Sequence, residues 1–252
     1  MEYLDRKIMT NKCWDEMSEE AISDQKKGVP QPEIFKKYHS KEIIKLPEPK
    51  PEILNDKDLI QIIWDRRSVR VYKDKPVSLE KFAFVLWAGQ RVKMVLNEGL
   101  SSLRTVPSAG GRHPFESYAI VRNVEGLEMG IYHYLANEHK LELVKRGDFK
   151  DEVTSANLGQ VFVGTAPFTY VLTAIPYRTE WRYRKYSPKL VLLDAGHVLQ
   201  NVYIACEGVG LGTCAIDAFS DKQMNEIMDI DGEEKFVVYL TPVGIPKIKI
   251  QR

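Results

Sequence analysis

Three arginines within five residues, in Arg66-Arg67-Ser68-Val69-Arg70, and a proline-bounded loop, RTVPSAGGRHP from Arg104 to Pro114, are the stretches best suited to gripping a ligand. Guanidinium groups make the paired, charge-assisted contacts that a phosphate favours, and Ser68 adds a hydroxyl donor. In the loop, proline fixes φ while glycine opens positive φ, so the backbone is held in one unusual path rather than continued as helix or strand. Its arginines and histidine, Arg104, Arg112 and His113, are read as free. Taken alone, the arginine cluster reads first as a solvated, solubilising face. Together, the two segments could grip opposite ends of a phosphorylated planar ligand.

Other chemistries find less support. The run Gly208-Val209-Gly210-Leu211-Gly212 ends a helix and starts a strand, the reverse of a dinucleotide-binding turn, so helix capping and close packing account for it better. No G-x-x-x-x-G-K-[ST] occurs, which removes P-loop phosphoryl transfer. The histidines, His39, His113, His133, His139 and His197, never stand at H-x-x-x-H spacing, and metal catalysis has little to build on. His197, inside a long apolar helix, reads as a core or interface histidine before a catalytic one. Ser108 lacks the G-x-S-x-G setting of a hydrolase nucleophile. Thirty-six basic residues against 35 acidic ones leave a charge of +1, which argues against nucleic acid as a partner. Cys13, Cys206 and Cys214 form no C-x-x-C pair, so neither a disulfide framework nor a thiolate zinc site is expected and a reducing cytoplasm fits best. The amino terminus is charged, and the most apolar stretch, Val161 to Tyr177, is broken by Gly164 and Pro167, so neither an export signal nor a membrane span is expected.

Periodicity and punctuation outline the elements that must position these segments. Residues 1–54 read as an arm or linker with a proline-rich, extended exit, LPEPKPE from Leu46 to Glu52. A helix is expected from near Asn55, which can cap it, through Asp58 to Trp64, with Leu59, Ile62 and Ile63 on one face. Ser78 fits as the cap of a second helix ending near Gly89, with Phe82, Val85 and Leu86 on one stripe. Glu116 to Arg122, Gly130 to Tyr134 and Lys140 to Val144 suggest an antiparallel meander, and the apolar run Phe168 to Ile175 a strand at the sheet centre. Ser187-Pro188 reads as the cap and first-turn proline of the longest helix, Lys189 to about Glu207. Gly212 to Ile216 and Phe236 to Val243 complete the strands, with Ser220 capping a short helix between them. Helices and antiparallel strands are mixed without strict βαβ alternation, which predicts an α+β fold.

In this order, RRSVR, PSAGGRHPFE, the helix LLDAGHVLQNVYIACEGVGLG, the strand TCAIDAF and the closing TPVGIP resemble the FMN-dependent nitroreductase superfamily. The match is closest to its branch of flavin dehydrogenases that includes the oxidases of peptide thiazolines and oxazolines. The resemblance runs from about residue 59 to the end and implies a nitroreductase-like fold, a mostly antiparallel central sheet flanked by helices, in an intertwined homodimer. Residues 55–252 would then be the FMN-binding domain. It implies that Arg66, Arg67, Ser68 and Arg70 hold the FMN phosphate and ribityl chain. Pro107, Ser108, Ala109 and Gly110 would reach the flavin from the partner subunit. Ala215, Ile216, Asp217 and Ala218 would lie along the isoalloxazine and offer a backbone N–H to N5, and Arg252 or Lys249 would join the phosphate group. Gly111 and His113 stand where nitroreductases carry asparagine and glutamine, and Asp217-Ala218 where they carry Glu-Gly, so backbone rather than side-chain contacts are expected there. Lys185-Tyr186 matches a Lys-Tyr pair of the azoline-oxidising branch, where proton transfer is a role the two groups could fill. Read alone, WRYRKY is a basic aromatic surface lip. The implied activity is NAD(P)H-dependent reduction of a nitro, quinone or similar small acceptor by ping-pong hydride transfer through flavin N5. An FMN-dependent dehydrogenase of a peptide-like or heterocyclic substrate, and a non-catalytic flavin or nucleotide binder, are the alternatives.

Overall fold

A computed structural model describes residues 9–10, 22–38 and 40–247. In chain order the strands are β1 (Ile43–Lys45), β2 (Val92–Leu96), β3 (Ser101–Arg104), β4 (Phe115–Val121), β5 (Gly130–Leu135), β6 (Lys140–Arg146), β7 (Phe168–Ala174), β8 (Gly212–Thr213) and β9 (Phe236–Gly244). The α-helices are α1 (Leu59–Asp65), α2 (Leu79–Gln90), α3 (Lys150–Ala156), α4 (Val161–Gly164), α5 (Tyr177–Tyr183), α6 (Ser187–Gly208) and α7 (Asp221–Met228).

Seven strands form one sheet in the order β1-β6-β5-β4-β7-β9-β8. Every neighbouring pair is antiparallel, and β2 and β3 make a separate hairpin. The meander β4-β5-β6 forms as its turn residues predict. β7 is buried along its whole length, which explains its unbroken apolar run, but β4 rather than β7 holds the middle place. Alternation along β4 divides the core. Phe115, Ala119 and Val121 join Tyr132 and Tyr170 under α2 and α6, whereas Tyr118 and Ile120 join Ile131, Val171 and Leu240 under α3, α4 and α7.

The helix signals hold with shifts of one to three residues. Asp58, not Asn55, caps α1, in a reciprocal box with Gln61, because Asn55 spends its side-chain amide on the carbonyl of Glu207 at 2.7 Å. Ser78 caps α2, which passes Gly89 and ends at Gln90. Gly89 is a packing glycine: a Cβ there would meet the Tyr170 hydroxyl at 2.7 Å. Ser187 lies inside α6 rather than capping it, and donates its hydroxyl to the Arg184 carbonyl.

The segment before α1 is laid across the domain. Trp181 Nε1 donates to Val29 O at 2.9 Å, Arg178 Nε to Glu33 O at 2.8 Å, and Ser40 N to Glu142 Oε1 at 2.9 Å. β1 then pairs with β6, Leu46 enters the core, and Asn55 N reaches Gly208 O at 2.8 Å.

Candidate functional site

The arginine segment leaves α1 and runs beside β8. Ser68 bridges to Thr213 in parallel sense, and Val69 N donates to Thr213 O at 2.8 Å. This brings Ser68 close to Thr213–Ala215, although they are far apart in sequence. Gly212 permits the approach, since a Cβ would meet Val69 side-chain atoms at 2.7–2.8 Å. Tyr203, from α6, ties the two segments: its hydroxyl lies 3.0 Å from Ser68 Oγ and accepts the Ala215 N–H at 2.8 Å, while the Arg66 guanidinium sits 5.2 Å from its ring centroid. Beyond Ala215, Ile216 and Leu240 exchange both backbone bonds, at 2.8 and 3.1 Å. Asp217 and Ala218 are exposed, and the Asp217 N–H makes no hydrogen bond among the described residues.

The proline-bounded loop is a second cluster, anchored on the same long helix. Ser108 Oγ donates to Asp194 Oδ2 at 2.5 Å and accepts the His113 N–H at 2.9 Å, and Ala109 N donates to Asp194 at 3.1–3.2 Å. Burial raises the Asp194 pKa, and the Ser108 and Ala109 bonds draw it part of the way back. Gly110 (φ +59°) and Gly111 (φ +64°) supply the left-handed turn, and a Cβ on Gly110 would strike the Tyr183 hydroxyl.

The loop's charged residues are not free. Arg104, Arg112 and His113 are buried. Arg112 Nε donates to Arg178 O at 2.8 Å and its guanidinium lies 4.9 Å from the Trp181 ring centroid; Arg104 Nη1 donates to Gln90 Oε1 at 2.7 Å. Burial, with Arg104 nearby, lowers the His113 pKa to about 3, so its neutral ring donates Nε2–H to Ser102 O at 3.0 Å. These side chains stiffen the loop from beneath.

Within one chain the two clusters stay apart: Arg66, Ser68 and Arg70 share no hydrogen bond or ion pair with Pro107–Gly110 among the described residues. Their anchors on α6, Tyr203 and Asp194, are separated by nine residues, roughly 13 Å of helix. Lys185 and Tyr186 form the turn between α5 and α6, with Tyr186 buried and Lys185 Nζ 5.6 Å from its ring centroid. His197 is exposed on α6 rather than in the core. Arg252 and Lys249 lie outside the described residues.

The first cluster fits a phosphorylated ligand. Arg66 and Arg70 have no carboxylate partner among the described residues, Ser68 stands between them in the chain with its hydroxyl at Tyr203, and the Asp217 N–H, two residues past Ala215, is an unspent donor. Tyr203 and Asp194 escape a reading of the sequence, because each sits in the periodic pattern of a long helix where packing explains it. A tyrosine hydroxyl nine residues past a buried aspartate is the signal that could have shown them.

Comparison with known proteins gives the family and the fold. The nitroreductase family profile matches residues 63–245, and the chain belongs to that family. A Methanocaldococcus jannaschii protein named as a nitroreductase is 34% identical over 186 residues, covering 74% of this chain and 90% of the relative. A nitroreductase structure from Ralstonia eutropha superposes with a TM-score of 0.68 at 27% identity, over 82% of this chain and 90% of that one, so the fold is nitroreductase-like. The microcin B17-processing protein McbC of Escherichia coli is 25% identical over 133 residues, 51% of this chain; the match spans about half of McbC, 49% of its length. No described helix is long and apolar enough to cross a membrane.

Proposed function

We propose that the protein is an FMN-dependent oxidoreductase that takes electrons from NADH or NADPH and passes them to a nitro, quinone or similar small acceptor. The observation that carries this is the meeting of Arg66 and Ser68 with Ala215 at Tyr203, on a family background. Bound FMN would supply hydride acceptance and donation; the residues supply binding, orientation and polarity. Arg66 and Arg70 would neutralise the phosphate, with Arg67 and Ser68 as further donors and Arg252 joining them. The Asp217 N–H would donate to the ring edge where charge develops, with Ala215, Ile216 and Ala218 lining the same side.

In this reading Pro107–Gly110 brace the flavin bound by the partner subunit, which makes the homodimer the active form. Residues 55–252 carry the cofactor site, and residues 1–54 act as a bracing arm. The absorbance spectrum of the purified protein tests the cofactor: flavin bands, with FMN rather than FAD released on denaturation. Anaerobic mixing with NADH and NADPH tests the reaction. Bleaching by either supports the reductase, and bleaching by neither removes it.

The similarity to McbC and the place of Lys185-Tyr186 favour a second reading, a flavin dehydrogenase of a peptide-like or heterocyclic substrate. In it Lys185 and Tyr186 hold or move a proton at the substrate. Unchanged turnover in Lys185→Ala and Tyr186→Phe would remove that role.

A further inference from the structure

A cavity of about 330 Å³ opens between α5, the first turns of α6 and the start of β9. Its floor is apolar, formed by Val191, Phe236 and Val238, with Pro188 and Leu192 exposed at its margin, and three carboxylates, Glu180, Glu233 and Glu234, line its mouth. The volume lies at the low end for a small-molecule site. Its position relative to the flavin segment follows from β9: Val238 is two residues from Leu240, which pairs with Ile216, so the wall ends roughly 7 Å along the strand from that bridge. At its other end Ser187, also in the lining, directly follows Lys185 and Tyr186.

The mouth has an electrostatic debt that its own residues leave standing. None of the three glutamates forms an ion pair among the described residues. Burial, and then the neighbouring charge of Glu234, raise the Glu180 pKa. A cation placed there relieves both carboxylates at once, while the floor rewards an apolar body and offers no charged partner to an anion.

We propose that this cavity is the substrate pocket beside the flavin and that it selects small organic cations, an apolar or aromatic body carrying one ammonium group. This rests on the flavin reading above and adds the substrate class to it. Neutral analogues lose the attraction, and anionic ones are repelled.

Matched acceptors of nearly equal shape test the selection: 4-nitrobenzylamine, 4-nitrobenzyl alcohol and 4-nitrobenzoate, assayed with the FMN-loaded enzyme at low salt. The expected order of kcat/KM is amine, alcohol, benzoate, with the amine about tenfold over the alcohol, a gap that shrinks in high salt. In the triple variant Glu180→Gln, Glu233→Gln, Glu234→Gln the amine-to-alcohol ratio should fall to within about twofold of unity. A wild-type ratio at or below one, or a ratio the triple variant leaves intact, overturns the proposal. Calorimetric binding of benzylamine, benzyl alcohol and benzoate to the protein as purified is the second arm, and it needs no turnover. If no nitro compound is reduced, the reductase reading fails by itself, and the cavity stands or falls on whether benzylamine binds more tightly than benzyl alcohol. Val191→Trp, which fills the floor, should abolish benzylamine binding; unchanged affinity in a folded Val191→Trp protein also overturns the proposal.

Discussion

Removing one oxygen, in Tyr203→Phe, would leave the Ala215 N–H without its acceptor and Ser68 without its tether. An amide stranded this way costs ~1–3 kcal/mol, and a loss of ~1.4 kcal/mol is tenfold in affinity. The FMN dissociation constant, read by flavin fluorescence titration, should therefore rise roughly tenfold; an unchanged constant would show that the hydroxyl does not organise the site. A second residue-scale prediction concerns His133, held between Glu116 at 3.0 Å and Glu142 at 3.1 Å beneath the amino-terminal segment. Burial pulls its pKa down, but the hydrogen bonds to the two glutamates outweigh this and hold it above the ordinary value. A histidine raised in the folded state contributes its stability in full below about pH 6.5 and loses it as pH climbs through the folded value. Breaking the buried pair costs ~3–5 kcal/mol. The Tm difference between the wild type and His133→Asn should thus be widest near pH 6 and narrow as the pH rises through the raised folded value, whereas a gap independent of pH would contradict the charged imidazole.

At the scale of elements, the loop around Ser108 depends on α6 through one carboxylate. Asp194→Ala removes the acceptor of both Ser108 Oγ and Ala109 N, so hydrogen exchange at residues 108–111 should quicken by about tenfold while that of β4 and β7 stays put. Uniform protection across the loop would mean that Arg112 and His113 alone suffice. The elements that sequence patterns revealed are those whose own residues decide their state: the meander, the apolar β7 and the Ser78 and Ser220 caps. The hairpin β2-β3 stayed hidden because its turn places Asn97 and Glu98, as well as Gly99, at positive φ, and a glutamate there gives no turn signal. β1 stayed hidden because three residues pair only with distant β6. Arg66 and Ser68 were legible as a local charge cluster. Arg104, Arg112 and His113 were misjudged because their burial comes from α2, α5 and the amino-terminal segment, which local polarity does not report.

For the whole molecule, α1 presents Leu59, Ile60, Ile63 and Trp64 at 64, 80, 57 and 78% exposure, and α6 adds Leu192 and Leu193 at 58 and 52%. So much bare apolar surface on two neighbouring helices is what a subunit interface looks like in a lone chain. Light scattering should give the mass of a dimer, and Ile60→Glu with Trp64→Glu should give a monomer that also loses FMN. A wild-type monomer with full cofactor would refute the shared site. The segment that approaches β8 has one further consequence. Val69 pairs with Thr213 at one margin of the sheet, and at the other β1 is followed by Pro47, Pro49 and Pro51, which have no N–H to offer a newcomer. The stretch proposed to grip the phosphate thus also occupies the sheet margin at Thr213, where a further strand could otherwise pair and begin an amyloid-type polymer.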